Sequence, residues 1–284
     1  MMHALVPDDG PSSPRLRAVP VTTATLVVLP TYDERDNIEE VLRRVRAAVP
    51  DAHVLVVDDA SPDGTGDLAE AVARELGGIS VLRRPAPTGL GSAYRDGFRW
   101  GLERGYDVLV EMDADLSHDP AVLPVLLRTV DDGADLVIGS RYVPGGVSAD
   151  WSLARRAISR IGCRYAQLML GLPTRDATSG YRAYRAAALR SVDLDTVRAN
   201  GYGFQVEMAY RVLRVGGAIE EVPIEFRDRT AGTSKMSLKI VVEALVLVTK
   251  WGVRDLLVAT GHVPARRRTW RSSGGSSRGS TPDA

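Results

Sequence analysis

Short, nearly unbroken apolar runs alternate along this chain with longer stretches whose apolar positions recur every three or four residues. The runs at 25–30, 53–59, 80–83, 108–112 and 136–140 are too short for helices and rich in Val, Leu and Ile, which suits strands buried on both faces. Between them, residues 37–48 place Ile38, Val41, Leu42 and Val45 at helical spacing, with Asp36 positioned as an N-cap. Residues 64–76, 91–104 and 120–132 are predicted helices by the same reading. Repeated β-α-β units of this kind predict an α/β fold, a mainly parallel, Rossmann-like sheet flanked by helices.

Ligands of such sheets bind beyond the carboxyl ends of the strands. Polar residues gather at those ends: Thr31 to Glu34 after the first strand, Asp58 and Asp59 after the second, Asp113-Ala114-Asp115 after the fourth and Arg141 after the fifth. An isolated Asp-x-Asp is more often a solvated turn than a site. Four elements delivering acids, a base and an aromatic to one rim change that balance. Carboxylates at a buried strand end are costly unless a cation offsets them, and Mg²⁺ and Mn²⁺ favour one or two carboxylates plus phosphate oxygens. Asp113 and Asp115 are thus candidates for a metal–diphosphate clamp. Tyr32 offers a flat face to a nucleobase and Glu34 can accept from base N–H groups. A carboxylate after the second strand can bind a ribose hydroxyl or a base N–H.

The 284 residues suit one large domain or two small ones. Residues 1–23, rich in Pro, Ser and Gly, and residues 263–284, rich in Arg, Ser and Gly, are expected to be disordered tails. The folded domain is expected over 24–237, followed by an amphipathic segment over 238–262. Formal net charge is zero, so no global field points to nucleic acid. The single cysteine, Cys163, reads as a packing residue and suits a reducing compartment. The four histidines lack zinc spacing. The N-terminal residues lack the basic start and apolar core of a secretion signal, and no apolar run reaches the ~18 residues of a membrane span. Residues 238–258 combine Ile240, Val241, Val242, Leu245 and Val248 with Lys239, Glu243, Lys250 and Trp251, a pattern open to an interfacial helix or a core helix.

The order Pro-Thr-Tyr-x-Glu-Arg-x-Asn from Pro30, Val-Asp-Asp-x-Ser-Pro-Asp-Gly-Thr from Val57, Gly-Leu-Gly-Ser-Ala from Gly89, Met-Asp-Ala-Asp-Leu-Ser-His from Met112 and Gly-Ser-Arg-Tyr from Gly139 resembles the family 2 glycosyltransferases of GT-A fold. Within them it is most similar to the polyprenol-phosphate (dolichol-phosphate) mannose synthases, over residues 26–250. The resemblance implies transfer of mannose from GDP-mannose to polyprenyl phosphate with inversion, using Mg²⁺ or Mn²⁺. It places Pro30, Tyr32 and Glu34 around guanine, Val57 and Asp59 along base and ribose, and Asp113, Ala114 and Asp115 on metal and diphosphate. Ser117 stands where the family often has Gln, as a further metal contact. Arg141 is expected at the diphosphate and acceptor phosphate, and Arg155 and Ser159, at i and i+4 on one helix face, at the acceptor phosphate. Arg229 and Lys235 are expected on a loop that closes over the donor. Asp115, Arg141, Arg229 and Lys235 form the expected catalytic set.

Residues 176–182 are expected at the floor of the sugar site, with Glu207 a further pocket candidate. The implied setting is the cytoplasmic face of a membrane, bound peripherally through the membrane surface, with a membrane-anchoring partner protein among the expectations. A UDP-glucose donor, and a catalytically silent nucleotide-binding protein, are the alternatives. An NAD-binding dehydrogenase is rejected because Pro30-Thr31-Tyr32-Asp33 stands where a glycine-rich fingerprint would be required.

Overall fold

The apolar runs become the strands of one twisted sheet. The computed structural model describes residues 23–149, 151–227 and 238–260. In chain order come β1 (Thr25–Thr31), α1 (Arg35–Ala48), β2 (His53–Asp58), α2 (Thr65–Leu76), β3 (Ile79–Arg83), α3 (Leu90–Glu103) and β4 (Val108–Glu111). A 3-10 turn at Pro120–Val122 leads into α4 (Leu123–Asp131), then β5 (Leu136–Ser140), β6 (Val147–Ser148) and α5 (Leu153–Leu170). The rest comprises β7 (Arg182–Arg185), α6 (Ala186–Ser191), α7 (Gly201–Arg214), β8 (Ile219–Pro223), β9 (Glu225–Phe226) and α8 (Leu238–Ala259).

Seven strands form the main sheet in the order β3-β2-β1-β4-β7-β5-β8. All neighbours are parallel except β7, which runs antiparallel to both β4 and β5. β6 and β9 pair as a small separate ribbon. The alternation of a strand splits the core between the two faces. Leu26 and Val28 of β1 pack with Tyr94 and Phe98 of α3 and Phe204 of α7. Val27 and Leu29 pack with Ile38 and Leu42 of α1 and Leu126 of α4. Helix α3 lies close on the sheet because Gly97 and Gly101 present no side chain to it. A methyl group at Gly97 would come within 2.5 Å of Val28 Cγ1.

The five predicted strands form, and the predicted helices begin or end within a few residues of their expected limits. Helix α1 starts earlier than the apolar spacing indicates, with Glu34 rather than Asp36 at its N-cap, and the Glu34 carboxylate accepts from Asn37 Nδ2 at 3.0 Å. Strands β6, β7, β8 and β9 are not marked by the apolar pattern; β7 is hidden because Arg182-Ala183-Tyr184-Arg185 begins and ends in arginine. Arg182 is nonetheless wholly buried. Its nitrogens donate to the carbonyls of Ser179 at 2.7 Å, Ala177 at 2.9 Å and Gln205 at 2.7 Å, which offsets the cost of burying a guanidinium. Helix α8 packs against α5 and α7, with Val248 in the core and Val246 and Leu256 exposed. One face of the helix thus belongs to the core, and other apolar residues of it stay exposed. Among the described residues no helix is long and apolar enough to cross a membrane.

Candidate active site

The carboxyl ends of β1, β2, β4 and β5 open on a cavity of about 680 Å³. Pro30, Tyr32 and Glu34 line it from the turn after β1. That turn is laced to the loop after β2: Asp33 N donates to Ser61 Oγ at 3.2 Å and Glu34 N to Thr65 Oγ1 at 3.0 Å. Asp58 is occupied within this lacing, accepting from Thr31 Oγ1 at 3.1 Å and Ser61 Oγ at 2.6 Å. Asp59 is the carboxylate left to line the cavity, and Arg84 holds it through an ion pair. Arg84 also pairs with Asp96 at 3.0 Å and donates to Ser92 at 2.6 Å, tying the loop before α3 to this edge.

Asp113, Ala114 and Asp115 line the cavity from the end of β4. Leu116 turns the chain at φ 63°, which brings Ser117 N back to donate to Asp115 Oδ1 at 3.0 Å. The Tyr94 hydroxyl donates to Asp113 Oδ1 at 3.1 Å. Burial, and then the Asp113 charge, raise its pKa well above the usual tyrosine value, so it stays a donor. His118 Nδ1 accepts from Asp113 N at 3.3 Å, and the imidazole stacks on Tyr181 with centroids 4.9 Å apart. Ser117 Oγ is buried with no hydrogen-bond partner among the described residues. The two carboxylates are hard oxygen donors, of the kind Mg²⁺ and Mn²⁺ select, whereas Ser117 is not among the residues that line the cavity. No group of three or more His, Cys, Asp or Glu residues poised for a metal occurs among the described residues. This donor set fits an ion that completes its shell with substrate oxygens or water.

Arg141 is 4% exposed and lines the cavity from the end of β5. Asp176 takes its Nε and Nη2, each at 2.7 Å, and Thr178 Oγ1 accepts from Nη2 at 2.9 Å. Burial pulls the guanidinium pKa down, but Asp176 outweighs it and the net shift is upward. Burial likewise pushes Asp176 up, yet Arg141 holds it below the usual carboxylate value. Three rings surround the guanidinium carbon, with centroids at 4.8 Å for Trp151 and 5.4 Å for Tyr142 and Phe226. Arg155, from the first turn of α5, also lines the cavity. The loop before β7 forms the floor with Thr178, Ser179 and Gly180, held from below by Arg182.

Nine of the residues predicted from sequence thus share one cavity: Pro30, Tyr32, Glu34, Asp59, Asp113, Ala114, Asp115, Arg141 and Arg155. Val57 is not brought there; its side chain is wholly buried in the core against α3, where a methyl at Gly97 would meet it at 3.3 Å. Ser159 lies one turn beyond Arg155 and is engaged by the Tyr142 hydroxyl at 2.7 Å. Glu207 faces away, accepting from Ala199 N at 3.0 Å and Arg211 Nε at 2.8 Å. Its neighbour Gln205 lines the floor instead, its amide without a partner among the described residues. Arg229 and Lys235 lie outside the described residues. Sequence reasoning missed Arg84, Tyr94, His118 and Gln205 as site residues. Each acts through a partner distant in sequence or through an unlabelled buried face, and only the Met-Asp-Ala-Asp-Leu-Ser-His run pointed near His118.

The model of glycosyl transferase family 2 matches residues 26–193, and the chain belongs to this family. It is a glycosyltransferase with the GT-A architecture. It is 57% identical to an undecaprenyl-phosphate mannosyltransferase of Micrococcus luteus, over 80% of this chain and 93% of that protein. It is 48% identical to the polyprenol monophosphomannose synthase of Mycolicibacterium smegmatis, over 83% of this chain and 89% of that protein. A dolichol-phosphate mannosyltransferase of Pyrococcus furiosus is 35% identical over 77% of this chain and 61% of its own length. Among solved structures, glucosyl-3-phosphoglycerate synthase of Mycobacterium tuberculosis with bound UDP superposes with a TM-score of 0.60, at 21% identity, covering 82% of this chain and 81% of that one. That likeness is one of fold.

Proposed function

We propose that this glycosyltransferase moves mannose from GDP-mannose to the phosphate of a polyprenyl monophosphate, with inversion, giving polyprenyl phosphate β-mannose and GDP. The observation that carries this reading is the meeting of the Asp113–Asp115 carboxylates with Arg141 and Arg155 on one cavity, in a chain 57% and 48% identical to relatives named for that transfer.

The chemistry asks little of a protein base. A phosphate monoester has its second pKa near ~6 and is largely dianionic at neutral pH, so the acceptor is already a nucleophile. The task is to bring two anions together and to stabilise the leaving diphosphate. Asp113 and Asp115 would hold Mg²⁺ or Mn²⁺, which when bound supplies Lewis-acid stabilisation of the diphosphate. Tyr32 and Glu34 bind the base, and Arg84 keeps Asp59 turned toward the nucleoside. Arg141 offers a fixed cation between the two phosphates, and Arg155 and Ser159 a second contact for the acceptor. Arg229 and Lys235 add positive charge over the donor.

The acceptor's tail needs a lipid surface. Helix α5 exposes Leu153, Ile158, Ile161 and Leu168 beside Arg155 and Arg160, and α8, packed on it, exposes Val242, Val246 and Leu256. These faces form the membrane contact of the proposed peripheral enzyme, on the cytoplasmic side.

The test is transfer of labelled mannose from GDP-mannose to polyprenyl phosphate in detergent, with Mg²⁺ or Mn²⁺, with EDTA, and with Asp115→Ala. Lipid-linked label that EDTA and Asp115→Ala each reduce by at least about a hundred-fold is expected. Label from UDP-glucose alone would overturn the donor, and transfer unaffected by EDTA would overturn the metal clamp.

A further inference from the structure

Two aromatic side chains hold Asp113 at opposite ends of the residue. His118 Nδ1 accepts from its backbone N at 3.3 Å, and the Tyr94 hydroxyl donates to its Oδ1 at 3.1 Å. We propose that Tyr94 is a positioning residue for metal binding: its hydroxyl sets the rotation of the Asp113 carboxylate and so raises the affinity of the site for a divalent cation. The proposal rests on the metal-clamp part of the reading above and adds to it a residue that the cation need not touch.

A carboxylate turns easily about its last bond, because that torsion has only broad, two-fold preferences. Asp115 is steadied by its own turn, through the bond from Ser117 N to its Oδ1 at 3.0 Å. The Asp113 carboxylate is steadied from a different element, by a hydroxyl carried on α3. Mg²⁺ demands near-ideal geometry of its oxygen ligands. A carboxylate already turned to suit spares the ion the entropy of ordering it. Carboxylates that ligate metals are commonly hydrogen-bonded in turn, and losing the outer partner costs about 10–100-fold in affinity.

The fold holds the phenol firmly. Tyr94 is wholly buried and stacks on Phe204 of α7, with centroids 5.9 Å apart and planes at 7°, and on Phe98 at 6.1 Å and 26°. Gly97 and Gly101 let α3 sit close on the sheet, which carries the hydroxyl to the end of β4. A buried tyrosine hydroxyl needs some partner for stability alone. Here the partner is one of the two carboxylates that line the cavity from β4, so its loss is felt by whatever those carboxylates bind.

The experiment uses the full chain with Tyr94→Phe, which keeps the ring and its stacking and removes one oxygen. Mn²⁺ binding is read without nucleotide by electron paramagnetic resonance, from loss of the free-ion signal. GDP binding is read by calorimetry with Mn²⁺ and with EDTA. Tyr210→Phe is the control, since it removes the hydroxyl of another buried tyrosine, a donor to Asp255 at 2.8 Å, and neither residue lines the cavity. Tyr94→Phe is expected to raise the Kd for Mn²⁺ roughly ten-fold, and Tyr210→Phe to leave it within about two-fold of wild type. GDP affinity in EDTA stays within about two-fold of wild type in both variants. Unchanged Mn²⁺ binding in Tyr94→Phe, an equal loss in Tyr210→Phe, or an equal loss of GDP affinity with EDTA and with Mn²⁺ would each overturn the proposal. A wild type that binds no Mn²⁺ would overturn it together with the clamp. A wild type that binds Mn²⁺ yet moves no mannose would sink the mannosyl-transfer reading alone.

Discussion

Glu111 stands two residues before Asp113 with its carboxyl sealed in the core, opposite Arg182 in the β4–β7 register. Neither carboxyl oxygen makes a well-formed hydrogen bond. Burial pushes its pKa up to about 7, against the pull of Arg182. Below the ordinary glutamate value the group is neutral in both folded and unfolded chains and adds no pH dependence. Between 4.5 and about 7 the unfolded chain gives up the proton while the folded chain keeps it, so stability falls as pH rises. At about 1.4 kcal/mol per unit the loss approaches about 3 kcal/mol above that window. Urea unfolding of Glu111→Gln should therefore show a gain over wild type at pH 8 that is largely absent at pH 4.5, and a pH-independent difference would refute the assignment. Residues like this mark the limit of sequence reading. Asp113, Asp115 and Arg141 were legible as candidates because four strand ends carry polar groups to one rim of the sheet. Glu111 and Arg182 were not, because each sits inside a strand and is explained only by a partner on a strand far away in sequence.

Two glycines on two helices illustrate how much of an element's behaviour lies outside its own sequence. In α3 a methyl at Gly97 would come within 2.5 Å of Val28 Cγ1, whereas in α5 one at Gly162 would meet nothing within 4 Å. Overpacking costs about 1–3 kcal/mol, and the helix gains about 1 kcal/mol when Gly becomes Ala. Gly97→Ala should thus lower the melting temperature by several degrees and Gly162→Ala raise it by about 2–4 °C. Calorimetry on the two variants checks this, and a shift of the same sign in both would contradict the packing described. The apolar period located α3 but could not say which of its faces meets the sheet closely, and it did not delimit α5. The same blindness hid β7 and left α8 divided between core and interface.

At the scale of the molecule, the exposed apolar residues of α5 and α8 lie on two helices packed together, with Arg155 of α5 reaching into the cavity. The proposed reaction site and the proposed lipid contact therefore share one helix. The paired change Ile158→Glu with Ile161→Glu should reduce co-sedimentation with anionic vesicles by about ten-fold or more, given about 1.5–3 kcal/mol for burying each side chain. Transfer to a short, water-soluble acceptor should remain near the wild-type rate. Equal loss in both assays would mean that the pair supports the fold rather than membrane contact.

The order in which the sheet is assembled has a consequence for synthesis. The ribosome delivers β4 and β5 well before β7, yet those two strands never pair with each other, because β7 seats between them. Until residues 182–185 emerge, both present bare edges, and Asp113 and Asp115 stand on the outermost strand of an unfinished sheet. The segment leading into β7 carries Asp176 and Thr178, which fix Arg141, and Gly180, which floors the cavity. The strand that joins the two halves of the sheet thus arrives with the segment that fixes Arg141 and floors the cavity. In a nascent chain the floor of the cavity and the partners of Arg141 therefore come into place only when the two halves of the sheet can join.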